Sequence, residues 1–373
     1  GTFLRSFSPS QFIVPNEGIP HMSRSYMKAL SLGLAVLACL LAVPVLAAPI
    51  TIDMVTVGNP GNANDTGGTF NGAVNYAYQI GKYDVTIGQY TAFLNAADPN
   101  GTNPNDIYNA SMETDLNIAG ISYTAGASAG AKYSVINNGG DSSNRPITHV
   151  SWFDAARFAN WMTNGQGSGS TEDGAYTLNG ATTGNAVAVN PGAAFRLPTN
   201  DEWYKAAYFS PNYGGVDSPG YYAYATQSDS APGNTIGSTA NQANYFTGAG
   251  FSVTQSGDYD SNQNYLTDVG AFSGSGSFYG TFDQSGNVFQ WNDLDGLASS
   301  GSSRGLRGGR WYDNAPFVLA SSFRTTNDPS VESNFLGFRL ASPVAVPEPS
   351  TLVMGLAGIA CGGWQMYRRR RAR

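Results

Sequence analysis

The chain has 373 residues, 19 Lys plus Arg against 26 Asp plus Glu, a net charge of −7, and only 12% charged residues in all. That acidic balance argues against nucleic acid and anionic lipid as partners, and the 12% aromatics spread along the chain argue against disorder. With 46 Gly and many Asn, Ser and Thr, the composition describes a loop-rich exported domain rather than a helical cytosolic one.

Residues 1–26 begin with Gly and fit no targeting pattern, so they are expected to be an upstream, non-native or mis-started segment. Met27-Lys28 then opens an almost wholly apolar run over 29–46 that closes on Ala47-Ala48. A basic start, an apolar middle and small residues at the exit predict a secretory signal peptide over 27–47. Cleavage is expected after Ala47, with Val45 and Ala47 at the −3 and −1 positions, because a cut after Ala48 would put Pro49 at the scissile bond. An uncleaved membrane anchor is the alternative. Cys39 lies in this run and Cys361 in a second apolar stretch near the other end, and the 321 residues between them hold no thiol.

The domain expected over 48–343 carries 11 basic and 24 acidic residues, a net −13, and is long enough to bury a substantial core. Without disulfides its stability must come from packing, tight turns or bound ions. Thr86-Ile-Gly-Gln89, Ser151-Trp-Phe-Asp154 and Thr199-Asn-Asp-Glu202 each place a hydroxyl at an N-cap and a hydrogen-bonding side chain three residues on, which predicts three helix starts. Apolar residues at helical spacing follow each: Tyr90, Phe93 and Leu94; then Ala155, Phe158, Trp161 and Met162; then Trp203, Ala206 and Ala207. These are read as core faces. Long Gly/Asn/Ser/Thr loops over 98–141, 165–190 and 210–250 separate the helices and point to an elaborated surface.

Five ordered segments carry a family resemblance. They are Gly81-Lys82-Tyr83-Asp84-Val85-Thr86 with Gln89-Tyr90 and Phe93-Leu94; Arg145-Pro146-Ile147-Thr148-His149-Val150-Ser151-Trp152; and Phe195-Arg196-Leu197-Pro198-Thr199 with Glu202-Trp203. Gly286-Asn287-Val288-Phe289-Gln290-Trp291 is the fourth, and Leu306-Arg307-Gly308-Gly309-Arg310-Trp311 running on to Gly337-Phe338-Arg339-Leu340 is the fifth. Together they resemble the sulfatase-modifying factor, or formylglycine-generating enzyme, domain. The resemblance implies an α+β fold of the formylglycine-generating-enzyme type, related to C-type lectins, with little regular secondary structure.

Activity does not follow from fold. In the oxidising members that this chain resembles, two cysteines after the Arg-Gly-Gly motif bind copper, and counting from Arg307-Gly308-Gly309 puts those positions at Asp313 and Val318. A carboxylate and an aliphatic side chain do not replace soft sulfur on Cu(I), so no copper is expected. Other branches use iron held by histidines, but His149 is the one histidine of the domain and one imidazole cannot build such a site. The same residue would have to serve any Ser-His-Asp triad, and no Gly-x-Ser-x-Gly elbow occurs. His149 is therefore read as hydrogen-bonded and structural. Carboxylates are plentiful, but their spacing singles out no glycosidase pair. No catalytic residue is assigned.

Calcium is the ion the resemblance implies. One family site would use oxygens at Ser285, Gly286 and Val288 with a Glu that is Gln290 here, and a neutral carbonyl there weakens it. A second would draw on Asn244, Tyr245, Asp258 and Asp260. Arg307, Arg310 and Arg324 could hold an acidic ligand or carboxylated sugar. The favoured expectation, which extends to Arg339, is that the arginines of this part pair with buried acids such as Asp154, Glu202 or Asp313.

At the far end, Pro347-Glu348-Pro349 precedes an apolar segment from Leu352 to about Tyr367 and an arginine block over 368–373. Motif, short span and basic cluster over 346–373 resemble the PEP-CTERM sorting signal, which implies an exosortase-type membrane protease as partner and a transient inner-membrane stage. The expected protein is an exported surface or extracellular-matrix component with a non-catalytic binding domain and exopolysaccharide as a partner. An enzyme with a divergent, non-cysteine active site is the alternative.

Overall fold

The computed structural model describes residues 49–67, 71–185, 187–293 and 303–344, and the expected signal peptide with Ala47 and the sorting tail with Pro347, Glu348 and Pro349 lie outside the described residues. Among the described residues no helix is long and apolar enough to cross a membrane.

All three predicted helix starts form, each with a reciprocal capping box. Helix α1 (Ile87–Ala97) opens where the Gln89 amide donates to Thr86 Oγ1 at 3.3 Å and Gln89 Oε1 accepts from the Thr86 amide at 2.9 Å. A four-residue turn, α2 (Ser111–Thr114), interrupts the first long loop. Helix α3 (Trp152–Thr163) is capped by Ser151 and Asp154, and α4 (Asn200–Tyr208) by Thr199 and Glu202. Each box satisfies amides that the first helical turn leaves without partners.

Helices α1 and α3 meet through aromatic rings. Tyr90 lies 6.0 Å from Phe158 in near-parallel stacking, and Phe93 meets Phe158 and Trp161 edge-on at 5.4 and 5.5 Å. Phe338, from the last motif, closes the cluster against Phe158 at 5.4 Å. The expected core faces are all buried, but α3 is buried on every side from Trp152 to Met162, including Arg157 and Asn160. The loop after it provides the reason. Glu172 pairs with Arg157 at 2.7 Å, and Asn160 Nδ2 donates to the carbonyls of Thr171 and Tyr176, so the loop wraps the helix and satisfies its polar groups.

The strands are short. β1 (Met54–Val57), β2 (Tyr78–Gly81) and β11 (Ala341–Pro343) form an antiparallel sheet with β2 central, where Val55 and Ala341 both register with Ile80. The two ends of the domain thus meet on one strand. A four-stranded sheet has the order β10-β7-β8-β9, from β7 (Phe289–Asn292), β8 (Arg304–Arg307), β9 (Thr325–Asn327) and β10 (Leu336–Gly337), with the β10–β7 pair parallel. Two small antiparallel pairs, β3 (Ile121–Tyr123) with β4 (Tyr133–Val135) and β5 (Phe209–Ser210) with β6 (Gly220–Tyr221), stiffen loops that the sequence left without regular structure. Few helices and scattered small sheets make this the mixed α+β arrangement expected.

Candidate functional site

The fourth and fifth motifs fold against each other. Gly286 has φ +83°, and a Cβ there would stand 2.2 Å from the Asn244 carbonyl oxygen, so only glycine fits. Its amide donates to the Gly308 carbonyl at 2.6 Å, and the Asn287 amide donates to the Asn244 carbonyl at 2.8 Å. The Asn244 side chain, buried, donates to the Tyr265 carbonyl and to Asn287 Oδ1, both at 2.9 Å. The Tyr245 hydroxyl donates to the Pro232 carbonyl, Ser285 Oγ accepts from the Ala225 amide at 3.2 Å, and Val288 packs with Trp311 in an apolar cluster.

Gln290 completes this network. Its Oε1 accepts from Trp203 Nε1 and from Arg339 Nε, both at 2.6 Å, while its Nε2 donates to the Asp283 carbonyl at 2.8 Å. A guanidinium already holds the oxygen that the first calcium site would need, and a second cation there would meet its charge at close range. The second expected set is also spread out. Asn244 binds the main-chain carbonyl of Tyr265, whereas the Asp260 amide donates to the same residue's hydroxyl at 2.8 Å, at the opposite end of the side chain. Asp258 and Asp260 are exposed, in a loop held by Asn117 Nδ2 donating to the Asp260 carbonyl at 3.0 Å. Among the described residues no group of three or more His, Cys, Asp or Glu could hold a metal ion.

The arginines divide by burial. Arg307 is buried and donates to Asn200 Oδ1 at 2.7 Å and to the carbonyls of Ser321 and Phe323, with its guanidinium 4.8 Å from the Tyr204 ring. Such a side chain lies out of a surface ligand's reach. Arg310 pairs with Asp313 at 3.0 Å and lies between the rings of Tyr312 and Phe335, 4.2 and 4.3 Å away. Arg324 is exposed. Of the three acids expected beside these arginines, Asp313 alone takes one: Asp154 is bound to its own cap residue Ser151, and Glu202 clamps Arg196 in a two-pronged pair at 2.5 and 2.6 Å. The spacing of Arg196 and Glu202 hid that pair, because the capping box already accounted for the Glu.

Arg339 is fully buried, with Asp84 at 3.1 Å and the Gly81 and Phe282 carbonyls as further acceptors. Burial pushes Asp84 up to about 8 and Asp283 up to about 6, against the pull of the same guanidinium. His149 departs from expectation. Its backbone holds φ +54°, its amide donates to the Ser333 carbonyl, and its buried Nε2 makes no hydrogen bond, lying 3.7 Å from Asp115 Oδ2. That separation is too long for a hydrogen bond, and burial lowers the imidazole's pKa against the pull of Asp115.

The two positions where copper-binding cysteines would stand come out as follows. Asp313, mostly buried, is bound on one oxygen by Arg310 Nε and on the other by the Arg310 amide, both at 3.0 Å. Val318 sits in the one-turn 3₁₀ helix Pro316–Leu319 and packs against the core.

The profile of the sulfatase-modifying factor enzyme 1-like domain (FGE-sulfatase) matches residues 56–344. The chain belongs to this sulfatase-modifying factor family. Among solved structures, it is similar to CarF, with 22% identity over 79% of this chain and 99% of that one and a TM-score of 0.46. It is also similar to Treponema denticola variable protein 1, with 20% identity over 79% and 96% of the two chains and a TM-score of 0.43. For PvdO from Pseudomonas aeruginosa the identity is 17%, the coverage 79% and 93%, and the TM-score 0.40. No curated protein matches the sequence. Within this family member, then, the motif residues build a hydrogen-bonded scaffold, and the positions counted for copper carry an ion-paired carboxylate and a packed valine.

Proposed function

We propose that this member of the sulfatase-modifying factor family is an exported, exosortase-processed protein of the cell surface or extracellular matrix, whose domain binds exopolysaccharide rather than catalysing oxidation. One observation supports the non-catalytic reading above the others. Asp313 is committed to Arg310 through both carboxylate oxygens and Val318 is packed, so neither position supplies a thiolate or an open ligand for Cu(I). The export reading rests on the apolar run before Ala47 and on the tail motif Pro347, Glu348 and Pro349.

Calorimetric titration of the purified domain with the exopolysaccharide and, separately, with calcium tests the binding reading. Saturable binding of the polysaccharide is expected, and its absence would remove the reading's support. The calcium arm tests the exposed loop of Asp258 and Asp260, the one expected set whose carboxylates face solvent. Glu348→Ala is expected to leave the tail unprocessed, with the larger form retained at the inner membrane on immunoblots. Normal maturation of that variant would overturn the sorting assignment.

A further inference from the structure

Three depressions adjoin one another on the face formed by the 59–67 loop, the 71–76 segment and the start of α4. The largest, about 800 Å³, lies between the 59–67 loop and the 209–221 hairpin and includes Tyr213, Asn64 and Asp217. The second, about 420 Å³, shares Gly61 and Asn62 with the first and extends past Asn75 to Thr199 and Asp201. The third, about 220 Å³, shares Tyr76 and Thr199 with the second and ends at Arg196, Asp293 and Arg304. Because neighbouring depressions share lining residues, they lie end to end as a grooved face, and the larger two alone reach the size of ordinary ligand sites, about 300–1,000 Å³.

The groove is built from below. Asn62, at the junction of the first two basins, donates through Nδ2 to the Gly72 carbonyl and the Tyr221 hydroxyl, both at 2.6 Å, and accepts from the Val74 amide at 3.2 Å. Asp65 accepts from the Tyr204 hydroxyl at 2.5 Å. Lys205, fully buried, donates to the Asn59 carbonyl at 2.8 Å and so anchors the loop to α4. A groove held this way loses little freedom when filled.

Its chemistry narrows the occupant. The two larger basins contain no Lys or Arg, while Asp65 and Asp217 line the largest, so a polyanion would be repelled there. In the smallest basin Arg196 is held by Glu202, and Arg304 lies 3.6 Å from Asp293, so no uncompensated positive charge is offered. The exposed side chains include the rings of Tyr76 and Tyr213 together with Asn64, Asn75 and Asp217. An aromatic face beside amide and carboxylate groups suits a chain whose apolar C–H faces alternate with hydroxyls.

We infer that this groove binds an extended neutral oligosaccharide, an inference that rests on the polysaccharide-binding reading and gives it a place on the molecule. The test is titration of the purified domain with neutral hexasaccharides (cellohexaose, mannohexaose, chitohexaose), neutral fragments of the cell's own exopolysaccharide, an oligogalacturonate and a lysine-rich peptide. At least one neutral saccharide is expected to bind, and Tyr213→Ala and Asn75→Ala are each expected to weaken it about tenfold with the fold retained by circular dichroism. Phe317→Ala, exposed but outside all three basins, is expected to bind as the wild type does. Polysaccharide binding that both groove variants retain in full would overturn the groove and leave the functional reading standing. Absence of binding to every saccharide by the wild type would overturn both. Tighter binding of the oligogalacturonate or the peptide than of any neutral saccharide would overturn the assigned chemistry.

Discussion

Arg339 shows how much one residue can organise. It reaches Gln290, Asp84 and the carbonyls of Gly81, Lys82 and Phe282, which belong to two separate segments, from a fully buried position. Arg339→Leu should destabilise the domain by about 3–5 kcal/mol in chemical denaturation, because Asp84 is then left buried beside Asp283 without its cation. A second residue-scale expectation concerns pH. Burial pushes Asp154 up to about 7, and burial together with the nearby Asp154 charge pushes Glu332 up to about 8. An acid whose folded-state pKa is raised contributes stability that is full below its unfolded value and is lost as pH rises through the folded one. The melting temperature should therefore fall as pH climbs from about 5 to 8, and Asp154→Asn, which keeps an acceptor for Ser151, should flatten that slope. The sequence named Asp154 as a cap and as a partner for arginine. It could not show the burial that makes it titrate late, because burial comes from segments distant in the chain.

At the scale of elements, the three capping boxes were legible because a box needs only four consecutive residues. Thr86→Ala should cost about 1 kcal/mol by removing the acceptor for the Gln89 amide, with α1 and its contact to Phe158 weakened on the same denaturation curve. The faces of α1 and α4 also followed from periodicity. The full burial of α3 did not, since the loop that wraps it bonds Glu172 to Arg157 fifteen residues away. The same limit applies to the expected calcium sets. Their residues lie in motifs that meet in space, but which oxygens remain open depends on neighbours: Gln290 is taken by Trp203 and Arg339, and Asp260 and Asn244 fall at opposite ends of Tyr265.

For the whole molecule, the position of the two cysteines carries a direct consequence. Residues 48–343 contain no thiol, so a reducing agent should leave the domain's melting temperature unchanged, and Cu(I) titration should give no stoichiometric thiolate absorption. A shift under either treatment would contradict a domain whose stability involves no thiol. The sequence by itself determined the family, the helix starts, the absence of cysteine from 48–343 and the acidic balance, since each depends on residue identity or short-range order. Only the tertiary structure decided which arginines are buried, which oxygens are spent and where adjoining depressions open on one face. Those outcomes depend on contacts between segments such as 59–67, 196–205 and 209–221, and such contacts form only when the chain folds back on itself.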